Sequence, residues 1–144
     1  MIYNLSLLNK KQEAEIKEIV GEPFSLFEKL SFGGTGSQAF LISEASEPIA
    51  GLLNKNEDLK TANIELRRSG IILGFRSRQD PYSWVIPFRK LSIYKTESRL
   101  SIHCDGLVVS LVPHMKKKLN QKFIRKLQEF KSNYHRSTRG PMDD

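Results

Sequence analysis

The chain predicts an α+β fold: a seven-stranded antiparallel sheet, curled or closed into a partly open barrel, with an N-terminal helix and a capping C-terminal amphipathic helix. Three observations carry this expectation. Short apolar runs of period two, punctuated by Gly, Pro, Asn and Asp, fill the middle of the sequence, as half-buried strands in hairpins do. Lys10–Val20 and Leu119–Tyr134 repeat their apolar residues every three or four positions instead, which is the helical period. The 144 residues, 39% hydrophobic and 27% charged, suit one globular domain with a real core.

In chain order, Asn9 with Gln12 forms a capping-box pattern, and Gly21 with Pro23 marks the stop of a helix striped by Ile16, Ile19 and Val20. Phe24–Phe32 and Gln38–Ser43 are expected as strands flanking FGGTGSQAF, whose glycines then turn a hairpin. Glu44–Lys60 is polar, contains Pro48 and Gly51, and reads as a long connection with one helical turn. Ile64 and Leu66 alternate with Glu65 and Arg67, and Ser69-Gly70 turns the chain into Ile71–Arg76, where Ile71, Leu73 and Phe75 share a face.

After a loop at Ser77–Ser83 comes WVIPFRKLSIYK. Its Pro87 cannot donate to a ladder, which predicts an edge or bulge there and a place where copies of the chain could associate as a homo-oligomer. Arg99–Cys104 and Leu107–Val112 alternate on either side of Asp105-Gly106, a type I′ hairpin signal. The last helix carries Leu119, Phe123, Leu127, Phe130 and Tyr134 in one stripe over about four turns. A single domain is expected over 1–134, with 1–21 as a helical extension and 135–144 as a flexible tail.

The net charge of +7 is unevenly placed. Between Pro113 and Arg139 stand Lys116, Lys117, Lys118, Lys122, Arg125, Lys126, Lys131, Arg136 and Arg139, against Glu129 alone. A segment of that kind attracts polyanions, whether nucleic acid, anionic lipid or an acidic protein. Lys116, Lys117 and Lys118 precede the closing helix, where the helix dipole disfavours cations; this end is either a solvated loop or a polyanion site helped by Lys122 and Arg125 or Lys126. Arg76 and Arg78, beside Tyr82 and Trp84, offer forked donors for phosphate and join the candidate anion site. Trp84 itself shares the phase of Ile86 and Phe88 and is assigned to the core.

Other chemistries lack their parts. FGGTGSQAF has no Lys-Ser/Thr pair after its last glycine, so it is no P-loop, and the hairpin reading is preferred. His103 and Cys104 are neighbours on a strand and point to opposite faces, so Cys104 reads as a buried hydrophobe rather than a nucleophile. No His-x-x-x-His, Cys-x-x-Cys or carboxylate cluster accompanies His114 and His135, so neither a metal nor a cofactor is expected. One cysteine points to a reducing compartment, and the absence of a signal-peptide pattern or a long apolar segment points to the cytoplasm.

SGIILGF, WVIPFRKLSIYK, RLSIHCDGLVVSLV and KFIRKLQEFK together resemble the bacterial pleckstrin-homology-like and GRAM-type domains, over roughly residues 62–134. In that family an Ile-Pro-x-x-Lys-apolar strand, here Ile86-Pro87 and Lys90-Leu91, precedes a hairpin and a helix with inward Phe and Leu, here Phe123, Leu127 and Phe130. The resemblance implies seven strands and a closing helix. It also implies that a phosphoinositide pocket would need cations at the turn between the first two strands. With that turn at Gly33–Ser37, which holds no cation and has only Lys29 nearby, such a pocket is not expected. The fold serves lipid, peptide and protein binding alike. The expected function is a non-enzymatic module that binds a protein, a peptide or an anionic surface. A nucleic-acid-associated protein using the basic C-terminal helix and tail, and a small enzyme with a site assembled from distant residues, stay open as alternatives.

Overall fold

The computed structural model describes residues 1–53, 60–77 and 80–138, without the side chains of Ser77, Lys116 and Thr138. It is α+β, with one open antiparallel sheet of eight strands: β1 (Ile2–Asn4), β2 (Phe40–Ala45), β3 (Thr61–Leu66), β4 (Gly70–Ser77), β5 (Asp80–Pro87), β6 (Ser92–Lys95), β7 (Leu100–Cys104) and β8 (Leu107–Pro113). The helices are α1 (Lys10–Val20), α2 (Leu26–Ser31), the single turn α3 (Ile49–Leu52) and α4 (Gln121–Thr138). The strand order is β1-β5-β4-β3-β2-β8-β7-β6. β2 and β3 pair across the long connection 46–60; from β3 onward neighbouring strands are joined by short turns, apart from the step from β5 to β6, and β2 also pairs with β8.

One core lies under this sheet. Phe40, Ile64, Leu73, Trp84, Ile86, Leu100, Ile102 and Leu111 are fully buried on its inner face, and Leu119, just before α4, with Phe123, Ile124 and Leu127 of α4 close over them. Each large apolar side chain so buried contributes about 1.5–3 kcal/mol. Period-two alternation sends Ile72 and Val85 to the opposite face. There they meet Tyr3, Ile16 and Val20 in a second small core, so α1 covers the outer side of β4 and β5. The capping box of Asn9 and Gln12 starts α1 as expected, and Asp105 (φ 51°) and Gly106 (φ 80°) make the expected tight turn. Trp84 and Cys104 are both core residues.

Several expectations are corrected. The strand expected over Phe24–Phe32 is a helix, because Ser25 and Glu28 form a capping box that satisfies the first N–H groups of α2. An eighth strand comes from Ile2–Asn4, which pairs with Tyr82–Trp84. WVIPFRKLSIYK is two strands: β5 ends at Pro87, and a 3-10 turn at Phe88–Lys90 leads into β6. The loop expected at Ser77–Ser83 is instead the β4–β5 hairpin, paired through Ser77 and Asp80. β5 lies between β4 and β1, but β1 pairs only with Tyr82–Trp84, so Pro87, which ends β5 opposite Gly70, lies beyond that pairing; the outer strands of the sheet are β1 and β6. The stripe of α4 was expected to end at Tyr134, but the helix continues to Thr138. Residues 139–144 lie outside the described residues.

Candidate functional site

FGGTGSQAF divides into two halves with different jobs. Gly33 and Gly34 end α2: the Gly34 N–H donates to Lys29 O at 2.7 Å and the Gly33 N–H to Leu30 O at 3.1 Å, the paired bonds of a Schellman cap. Both glycines hold positive φ, 73° and 96°, which a side chain would strain. Their N–H groups therefore serve helix carbonyls rather than a phosphate. The second half extends β2 along β3, where Ser37 N–H donates to Ile64 O and Leu66 N–H to Thr35 O, each at 2.8 Å. The hairpin expected here is absent. So is the premise that this loop joins the first two strands of the meander: β2 and β3 are connected by 46–60, of which 54–59 lie outside the described residues.

The side-chain pattern of α2 is reversed for a surface helix. Leu26, Phe27 and Leu30 are 75%, 80% and 72% exposed, while Glu28 and Lys29 are half-buried against the body. Surface helices ordinarily turn their apolar stripe inward. Here the anchors lie outside that stripe. Phe24, just before the helix, is buried in edge-to-face contact with Phe32 and Phe130, at ring separations of 5.0 Å and 5.7 Å. Phe32 also meets Phe130 at 5.1 Å. The guanidinium of Arg68 lies 4.9 Å over the Phe24 ring and pairs with Glu28 at 2.6 Å. That hydrogen bond, reinforced by the Ser25 N–H, holds the Glu28 carboxyl below the usual glutamate range.

Beside α2 runs a shallow groove of about 330 Å³, lined by Phe32 and Phe130 and by Lys122, Arg125, Lys126 and Glu129 of α4. Three cations against one carboxylate make it basic. Lys126 reaches across it, its Nζ donating to Gly34 O at 2.8 Å. The N-terminus of α4 is tied to the same chain stretch: Gln38 accepts from Asn120 N–H at 2.6 Å and donates to Lys118 O at 3.0 Å.

The candidate anion-site residues fall as follows. Lys122 lines the basic groove. Lys117 and Lys118 are exposed in the turn before α4, and Lys116 ends the 3-10 turn preceding it. Arg76 lines a different and larger groove, about 800 Å³, on the outer face of β3–β5, together with Gly34–Gly36, Asn63, Glu65 and Ser83. Arg78 lies outside the described residues. Phe75, next to Arg76, stands three strands from Pro113 through Ala62 and Phe40. At about 4.8 Å per strand that is roughly 14 Å, so Arg76 and the lysine run flank the sheet end at a distance.

Among the described residues no group of three or more His, Cys, Asp or Glu side chains could hold a metal ion. Burial, then the Asp105 charge, pushes the Cys104 thiol up, which suits an inert core residue rather than a nucleophile. Sequence reasoning missed α2 and its outward Leu26, Phe27 and Leu30, although Ser25-x-x-Glu28 is the capping-box signal that would have found the helix. Among the described residues no helix is long and apolar enough to cross a membrane. The chain matches no protein-family model, no curated protein and no solved structure.

Proposed function

We propose that this chain is a non-enzymatic interaction module with a pleckstrin-homology-like fold, docking its partner on α2 and the adjoining basic face of α4. The order of elements supports the fold half of this reading: seven successive antiparallel strands, β2–β8, followed by a helix over their core. The observation that carries the functional half is the outward stripe of Leu26, Phe27 and Leu30. Exposed clusters of large apolar side chains next to charged surface mark places where something else binds. The cations supply attraction and orientation, and Lys122 belongs to them, with Lys117 and Lys118 at the neighbouring turn.

A photo-crosslinking residue in place of Phe27, introduced in living cells, tests the reading for any class of partner. Adducts to a macromolecule or lipid at Phe27 are expected, with far fewer from the same residue at Glu97, an exposed turn position. Equal and low labelling at both positions would overturn it.

A further inference from the structure

We infer that the partner of the α2 face is an anionic phospholipid bilayer, with α2 as a shallow wedge. This rests on the interaction-module reading above and names the partner of that site. Leu26, Phe27 and Leu30 enter the boundary between headgroups and acyl chains, while Lys122 and Arg125 meet lipid phosphates beside them.

Shape and charge favour this occupant. The three apolar side chains stand out from a six-residue helix, so they form a ridge rather than a cleft. A helical peptide partner lays its apolar face into an apolar groove, but the groove here carries Lys122, Arg125, Lys126 and Glu129 beside Phe32 and Phe130, so most of its lining is charged. A second copy meeting the same face would set these cations against their own counterparts, on a chain of net charge +7. A bilayer accepts an apolar ridge without needing a complementary cavity, and its anionic headgroups match the flanking cations. The Schellman cap and the Lys126 bond to Gly34 hold the end of the ridge next to the basic groove. The apolar ridge and the cations are therefore held beside one another on packed elements. Binding at a membrane interface strengthens with buried apolar area and with attraction to anionic lipids, and this face offers both.

Sedimentation of the full chain with phosphatidylserine–phosphatidylcholine vesicles, and with phosphatidylcholine vesicles alone, tests the inference. Binding is expected only to the anionic vesicles, weakening as salt is raised. Phe27→Ser with Leu30→Ser should reduce partitioning by about tenfold or more, with the melting temperature unchanged because both side chains are exposed. Lys122→Glu with Arg125→Glu should abolish the preference for phosphatidylserine. The inference is overturned if the chain ignores anionic vesicles or if the Phe27/Leu30 variant binds them as well as the parent does. Salt-dependent binding to duplex DNA without vesicle binding would overturn it in favour of a nucleic-acid partner. Protein adducts from the Phe27 cross-linker together with absent vesicle binding would reject the bilayer and leave the module reading standing. Failure of both experiments would reject both.

Discussion

Lys126 and Gly34, 92 residues apart, are joined by a 2.8 Å hydrogen bond from the lysine Nζ to the glycine carbonyl. A side chain of the last helix thus clamps the turn that ends α2. The two parts of the candidate site, an apolar ridge and a basic groove, are held together by this bond and by the rings of Phe24, Phe32 and Phe130.

The ring cluster makes Phe24 the anchor of α2. Replacing Phe24 with Ala should cost about 3 kcal/mol, as the removal of buried phenylalanines does. Urea unfolding should show the midpoint falling with little change in slope. Amide exchange in α2 should accelerate more than in β7, and equal acceleration in both elements would contradict the anchoring role.

Glu28 gives α2 an acid sensitivity. Its folded-state carboxyl is held low by Arg68 and by Ser25 N–H. The unfolded chain therefore binds the proton more readily, and the carboxylate stabilises the fold fully above the ordinary glutamate value of about 4.3. That contribution disappears as pH falls through the lower folded value. A stability–pH profile of the parent should be steeper below about pH 4.3 than that of Glu28→Gln. Superimposable acid limbs would show that the pair carries no such linkage.

Gly70 and Gly34 should respond differently to alanine. A Cβ on Gly70 would stand 2.3 Å from Ile86 O and 2.6 Å from Val20 Cγ1, whereas one on Gly34 meets nothing within 4 Å. Gly70→Ala should cost about 3 kcal/mol by forcing β5 and α1 apart. Gly34→Ala should cost about 1 kcal/mol, the strain of a left-handed residue alone. Calorimetric melting of both variants checks the order, and a reversed order would refute the packing argument.

Cys104 should be slow to react in the native state. The residue is 4% exposed, and burial pushes the ionisation of its thiol up. Alkylation by iodoacetamide at neutral pH, followed by mass spectrometry, should become at least about tenfold faster in denaturant. Comparable rates in both conditions would place the sulfur at the surface.

Local chemistry was legible wherever the cause is local. The Asn9–Gln12 capping box, the Asp105-Gly106 turn, the alternation of Ile71–Phe75 and the stripe of α4 each follow from interactions within a few residues. The burial of Trp84 and Cys104 follows from the same alternation. Misreadings arose where a run of apolar residues had two outlets. Phe24–Phe32 is apolar enough for a strand, but Ser25 and Glu28 start a helix that turns Leu26, Phe27 and Leu30 outward. WVIPFRKLSIYK is rich in apolar residues along its length, but Pro87 lacks the N–H that would have carried the ladder onward.

Periodicity and turn chemistry were sufficient for an antiparallel sheet closed by a basic amphipathic helix, because each depends on neighbours along the chain. Position in the sheet, and the meeting of α2 with α4, depend on contacts that span most of the chain. Ile2–Asn4 becomes a strand only because β5 presents an unpaired edge to it. Lys122 and Arg125 become neighbours of Phe32 only because packing of Phe24 and Phe130 folds α2 onto α4. Local pattern specifies which residues are apolar or charged, and long-range packing selects which of them share a surface.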